Sequence, residues 1–201
     1  MAARSNAGSE LARIWLEHRH GCLVRESLQV PVYRNYSDID FIAQHPTRAK
    51  LSLPNGTAIG PNIAVETKDE HDGPTGRDFG KLLRADVARL SSEGVIPTGS
   101  ANVKFTMLKA EHFEVASKFF GTSDLDRLFI VHAIDEETRI EICPTLEQRY
   151  RIHWLTIPEL VTDLFRWYEG AVRPEQLSLR NTLTGDLFHL LAGFCRFGPR
   201  N

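Results

Sequence analysis

The sequence is poor in cysteine and has no long apolar segment. Its three cysteines, Cys22, Cys143 and Cys195, lie far apart and form no CxxC pair, and its eight histidines include no HExxH pair. This spacing argues against a disulfide framework and a zinc ribbon, and it fits a reducing cytosol. Because no apolar run approaches a membrane span and the first residues show no signal-peptide core, we expect a cytoplasmic protein without a membrane partner.

The chain also lacks a strong charge of either sign. Its 24 basic and 26 acidic residues leave a formal net charge of -2. Such a chain does not attract nucleic acid through its overall field, so any affinity requires a local basic patch, a metal ion or a partner. We find no internal repeats, and the length predicts one domain over residues 1–201, with a core at about 8–135 and a strand and helix extension at about 136–201.

Two short stretches combine strand-forming residues with acids. The first, residues 37–43, reads Ser-Asp-Ile-Asp-Phe-Ile-Ala. Its apolar and polar residues alternate with a period of two, which is typical of a half-buried strand. The alternation predicts that Ile39 and Phe41 share one face, and that Asp38 and Asp40 share the other.

The second stretch, residues 63–69, alternates in the same way and places Glu66 and Lys68 on one face. If the two strands lie side by side, the Asp40 and Glu66 carboxylates can hold Mg²⁺, which favours oxygen ligands and usually takes one or two carboxylates. The Thr67 carbonyl can add a third oxygen. Lys68 can orient or deprotonate an attacking water that the metal makes acidic. These residues predict phosphodiester hydrolysis with Mg²⁺ or Mn²⁺.

This arrangement resembles the PD-(D/E)xK nuclease superfamily. Asp40 matches its strand aspartate, and residues 66–68 match its E-x-K half. Residues 37–43 are similar to the acidic-Ile-Asp strand of the Holliday-junction-resolvase and RecB-like branches. There the second acid of the run binds metal, so the resemblance selects Asp40 and leaves the role of Asp38 open. The proline of the family name is absent, and Ser37 stands near its place.

The resemblance covers about residues 8–135 and includes the first helix. Residues 8–12, Gly-Ser-Glu-Leu-Ala, are similar to the family's first helix, whose Glu often completes the site. The resemblance therefore adds Glu10 as a catalytic candidate. The alternative is that Glu10 only complements the helix dipole.

A basic stripe follows the second acidic strand. In a helix predicted at about 78–92, the side chains of Arg77, Lys81 and Arg84 recur at i, i+4 and i+7. In nucleases of this type that helix often lies beside the site, so we expect the stripe to bind backbone phosphates. The alternative is a solvated helix face. His71, in the preceding polar loop, is an open candidate for an extra acid or base.

The remaining pattern predicts an α/β protein with a mixed sheet flanked by helices, which is the restriction-endonuclease-like architecture. The predicted strands outside the acidic stretches are 22–33, 103–108, 126–134, 138–143 and 150–155, and the predicted helices are 9–19, 110–120, 158–169 and 186–197.

We therefore expect a metal-dependent nuclease that acts on DNA, with RNA left open as a substrate. We expect an endonuclease in defence, restriction or repair, working as a homodimer or as the effector subunit of a targeting complex. The alternative is a non-catalytic nucleic-acid-binding or scaffolding module on the same fold. A small-molecule hydrolase is a third class, and it would need an enclosed apolar pocket.

Overall fold

A five-stranded mixed sheet forms the centre of the computed structural model, which describes residues 7–32, 35–68, 76–169 and 185–187. The strands are β1 (Leu23–Val32), β2 (Asn35–Gln44), β3 (Leu51–Ser52), β4 (Ala58–Ile59), β5 (Asn62–Lys68), β6 (Asp126–Val131) and β7 (Ile152–Thr156). The helices are α1 (Ala7–Ile14), α2 (Gly76–Val87), α3 (Ala110–Phe120), α4 (Glu136–Glu141), α5 (Cys143–Tyr150) and α6 (Ile157–Glu169). A π-helical turn (Trp15–Arg19) extends α1, and a 3-10 turn (Thr106–Leu108) precedes α3.

The main sheet has the order β1-β2-β5-β6-β7, and β3 and β4 form a separate small hairpin. The β1–β2 and β2–β5 pairs are antiparallel, whereas β5–β6 and β6–β7 are parallel. All six residues of β6 are buried, as its continuous apolar run predicts for a central parallel strand. These features confirm an α/β fold with a mixed sheet flanked by helices. The fifth strand, β7, comes from the segment predicted as an extension of the core.

Alternate residues of β5 enter two hydrophobic clusters on opposite faces of the sheet. Ile63 and Val65 pack in the cluster that includes residues of α1 and α6. Ala64 packs in the other cluster, which includes residues of α2, α3 and α5. The period of two therefore holds in this strand, and Glu66 and Lys68 follow Ala64 along the same face.

The same alternation breaks in β2 at Asp40. Phe41 packs in the cluster beside α1, whereas Ile39 packs in the opposite one, so the prediction that they share a face is wrong. The β1–β2 ladder pairs the residues on either side but steps over Ser27 and Asp40. Ser27 has a left-handed backbone, with φ of 51°. The register is the same on both sides of this interruption, so no residue is inserted as in a β-bulge, and Asp40 lies at a local distortion opposite Ser27.

Two predicted strands are helical instead. Residues 138–143 alternate apolar and polar side chains, yet most of them belong to α4, because Asp135 Oδ1 accepts a hydrogen bond from Thr138 N at 2.9 Å and caps the helix. Residues 103–108 contain the 3-10 turn, and the backbone N–H groups of residues 104–107 bind side-chain carboxylates rather than a neighbouring strand.

Some predictions fall outside the described residues. They include His71, Cys195 and most of the predicted helix at 186–197, of which residues 186 and 187 are helical. Cys22 and Cys143 are buried free thiols. Among the helices that the structure describes, none has the length and apolar character needed to cross a membrane.

Candidate active site

The candidate site lies where β2 runs beside β5. The β2–β5 ladder ends with the pair Phe41 and Val65, and Asp40 and Glu66 are the next residues of the two strands beyond it. The Asp40 carboxylate accepts two hydrogen bonds through Oδ2, one from Thr67 N at 2.6 Å and one from Thr67 Oγ1 at 2.8 Å. The structure therefore brings the strand aspartate into direct contact with the E-x-K segment.

The first helix reaches this segment through Ser9. Its Oγ lies 2.9 Å from Thr67 Oγ1, which also donates to Asp40. The neighbouring Glu10 accepts hydrogen bonds from Arg13 Nη2 at 2.9 and 3.1 Å, so its described contacts lie along its own helix. The predicted helix–site contact is thus made by Ser9, one residue before the carboxylate that the resemblance selected.

Glu66 is buried, with 3% of its surface exposed, and both of its carboxylate oxygens have partners. Oε1 accepts from Thr106 N at 3.1 Å and from Thr106 Oγ1 at 3.0 Å, and Oε2 accepts from Met107 N at 2.9 Å. Lys68 Nζ lies 2.6 Å from Oε1, on the face of β5 that the alternation predicts. Glu66 is therefore held from two sides, by the 3-10 turn and by Lys68.

Burial is the largest influence on the Asp40 carboxyl group, and it raises the pKa of that group. The two hydrogen bonds from Thr67 lower the same pKa because they favour the charged form. The negative charge of Glu66 raises it further, and the positive charge of Lys68 lowers it. The two acids therefore repel each other, and a cation between them would relieve this repulsion.

The donor set suits a hard divalent cation. In the part of the chain that the structure describes, no three side chains of His, Cys, Asp or Glu form a metal-binding group. A cation at this site would thus take the two carboxylates of Asp40 and Glu66, the Thr67 carbonyl and non-protein oxygens. Mg²⁺ is bound in this way, through one or two carboxylates with water and phosphate. Asp40, Glu66 and Thr67 therefore fit a Mg²⁺ ion. Glu66 would bind the ion while its oxygens still accept the hydrogen bonds from the 3-10 turn.

The two described residues of the predicted phosphate-binding stripe, Lys81 and Arg84, differ in exposure and in ion pairing. Lys81 is exposed, and the Arg77 side chain lies outside the described part of the structure. Arg84 forms ion pairs with Glu141 at 3.0 Å and Glu137 at 3.3 Å. The charge of Arg84 is therefore partly compensated by α4, and of the two described members Lys81 is better placed for a phosphate.

Sequence reasoning missed a buried histidine near the site. His112 of α3 is fully buried, and its Nε2 lies 3.0 Å from Ser37 Oγ. Burial lowers the pKa of His112 because it disfavours the charged ring, and the Glu66 charge acts in the opposite direction. The 75 residues that separate His112 from Ser37 explain why no local motif signals this contact.

Comparison of the chain with protein-family models, curated proteins and solved structures gives no match. The likeness to the PD-(D/E)xK nucleases therefore depends on the residues and contacts described above.

Proposed function

We propose that this chain is a Mg²⁺- or Mn²⁺-dependent nuclease that hydrolyses DNA phosphodiester bonds, on a restriction-endonuclease-like version of its α/β fold. The observation that carries this proposal is the pair of hydrogen bonds by which Asp40 of β2 binds Thr67 of β5, together with the ion pair between Lys68 and Glu66 within β5. The charges of Glu66 and Lys68 act on the Asp40 carboxyl group, and a combination of two carboxylates and an ammonium group suits phosphoryl-transfer chemistry.

Each residue has a distinct role in this proposal. Asp40 and Glu66 hold the cation, together with the Thr67 carbonyl. When bound, the cation acidifies water and stabilises charge on the phosphoryl oxygens. Lys68 is half-buried, so its ammonium group acts in a partly desolvated site, where it orients the attacking water or offsets phosphoryl charge. Lys81 contacts the DNA backbone.

The broader setting is argued from the small size of the chain and its near-zero net charge. With a formal charge of -2, the chain depends on the local site for its affinity for DNA. A homodimer would place two sites about a two-fold axis and allow both strands of a duplex to be cut. We therefore propose a cytoplasmic endonuclease in defence, restriction or repair, acting as a homodimer or within a targeting complex.

A second candidate is a non-catalytic nucleic-acid-binding module on the same fold. The hydrogen bonds from Thr106 and Met107 favour it, because they give buried Glu66 a structural role that needs no metal. In that case the carboxylate anchors the 3-10 turn and the protein cuts nothing.

The test is cleavage of supercoiled plasmid, single-stranded DNA and RNA with Mg²⁺, Mn²⁺ or EDTA. We expect cleavage with either metal and none with EDTA. Lys68→Ala and Lys68→Met should each lower the rate by ~10²-fold, which is typical of a lost electrostatic group, without weakening DNA binding in Ca²⁺. Lys50→Ala, at an exposed loop lysine, is the matched control and should cut at the wild-type rate. Wild-type protein that binds DNA but cuts no substrate with any metal would support the second candidate.

A further inference from the structure

Four consecutive backbone N–H groups in front of α3 bind two buried carboxylates. Lys104 N and Phe105 N donate to Asp86 Oδ2 at 2.9 and 3.0 Å. Thr106 N and Met107 N donate to Glu66 at 3.1 and 2.9 Å. Asp86 belongs to α2 and Glu66 to β5, so residues 104–107 link the helix of the proposed phosphate stripe to the proposed metal ligand.

This segment determines where the Glu66 carboxylate lies. Thr106 binds Oε1 through both its N–H and its hydroxyl, whereas Met107 binds Oε2. With donors on both oxygens, the carboxylate cannot rotate without breaking a buried hydrogen bond. Asp86 holds the preceding two N–H groups and therefore keeps the donors of the turn in place.

The two oxygens of Glu66 are not equally occupied. Oε1 has three described partners, namely Thr106 N, Thr106 Oγ1 and Lys68 Nζ. Oε2 has one, Met107 N. Since an ionised carboxylate offers about four lone-pair sites in total, Oε2 has the greater remaining capacity for a cation. The Thr106 hydroxyl thus adds a donor to Oε1 and leaves Oε2 with a single donor from the same turn.

We propose that Thr106 is a positioning residue for Glu66, and that its hydroxyl orients this carboxylate for the cation of the proposed nuclease. The inference rests on the proposed function, because it assigns Thr106 a role only if Glu66 is a metal ligand. Groups that orient metal ligands in this way typically change metal affinity by about 10–100-fold when they are removed.

The test is Mn²⁺ binding measured by isothermal titration calorimetry on the full chain. Thr106→Val keeps the shape and the backbone N–H but removes the hydroxyl, and it should weaken Mn²⁺ binding by ~10-fold or more. Thr106→Ser keeps the hydroxyl and should restore wild-type affinity. Thr156→Val is the matched control, because Thr156 also binds one glutamate, Glu159, through its N–H and its hydroxyl, each at 2.8 Å.

Thermal unfolding of each variant separates a loss of the fold from a loss of positioning. If Thr106→Val does not fold, the comparison of Thr106→Ala with Thr106→Ser replaces it, with the same expected difference in affinity. Wild-type affinity in a folded Thr106→Val or Thr106→Ala, or an equal loss in Thr156→Val, would overturn the inference and leave the proposed function standing. A wild-type protein that neither binds Mn²⁺ nor cuts DNA would overturn both.

Discussion

His20 makes the fold sensitive to acid. It follows the π-helical turn after α1 and is 5% exposed, with its ring centroid 4.3 Å from that of Trp15 in an edge-on arrangement. Its Nε2 atom is buried and has no hydrogen-bond partner among the described residues. A protonated ring at this position would place an uncompensated charge in the core.

The pKa of His20 is lowered from 6.5 to about 4, and burial is the largest cause. The positive charges of Arg19 and Arg48 contribute to this lowering, and the negative charge of Asp163 opposes it. The unfolded chain therefore takes up this proton near pH 6.5, and the folded chain only near pH 4. Stability from this group is fully present above pH 6.5 and is lost as the pH falls. Linkage gives a loss of about 2 kcal/mol by pH 5 and about 3 kcal/mol by pH 4.

The assay is urea unfolding at a series of pH values between 7 and 4, followed by circular dichroism. His20→Leu removes the titrating group, so the free energy of unfolding of wild type minus that of the variant should fall by about 3 kcal/mol over this range. Other titrating groups contribute equally to the free energy of unfolding of both proteins, so their contributions cancel in this difference. A His20→Leu curve that runs parallel to wild type would show that His20 does not cause the loss of stability in acid.

Three further results are expected. In a plasmid cleavage assay, Asp40→Ala should abolish cleavage while Asp38→Ala keeps most of it, because Asp40 binds the E-x-K strand and Asp38 is exposed. The reverse result would assign the metal ligand to Asp38 instead of Asp40. Lys81→Ala should weaken DNA binding for all sequences alike and reduce the salt slope by about 1, measured by fluorescence anisotropy; an unchanged slope would leave Lys81 a solvated residue. Gly94→Ala should destabilise the fold by about 3 kcal/mol, because φ is 73° and the new Cβ would overlap the Tyr150 ring; a wild-type midpoint in thermal unfolding would contradict this.

The strands of the central sheet could be predicted because their patterns are local. The continuous apolar run in β6 reflects burial on both faces, which the structure shows. The alternation in β5 predicted the strand correctly, but residues 63–67 are all buried, so this strand is not half-buried as alternation suggests. The same rule failed at residues 138–143, where Ile140 and Ile142 alternate with polar residues. There the Asp135 cap starts a helix, and Ile140 remains 64% exposed.

The details of the site depend on contacts between distant parts of the chain, and the sequence contains no local signal for them. The left-handed backbone of Ser27 accompanies the change of face at Asp40, and no strand pattern reveals it. The contact between Glu66 and Thr106 joins residues 40 positions apart. Ser9 and Glu10 are adjacent in α1, and Ser9 is the one that contacts Thr67. The helical period of the sequence does not predict which of two adjacent residues faces the sheet.

The most direct test of the central claim is a crystal of the protein soaked in Mn²⁺ and measured at the manganese absorption edge. We expect one strong anomalous peak near β2 and β5, because Asp40 and Glu66 are proposed to bind the same ion. A carboxylate oxygen of Asp40 and one of Glu66 should each lie ~2.1–2.2 Å from this ion. The same crystal of Asp40→Asn should lose the peak. A well-diffracting wild-type crystal at saturating Mn²⁺ with no peak between these two side chains would contradict the assignment of Asp40 and Glu66 as metal ligands.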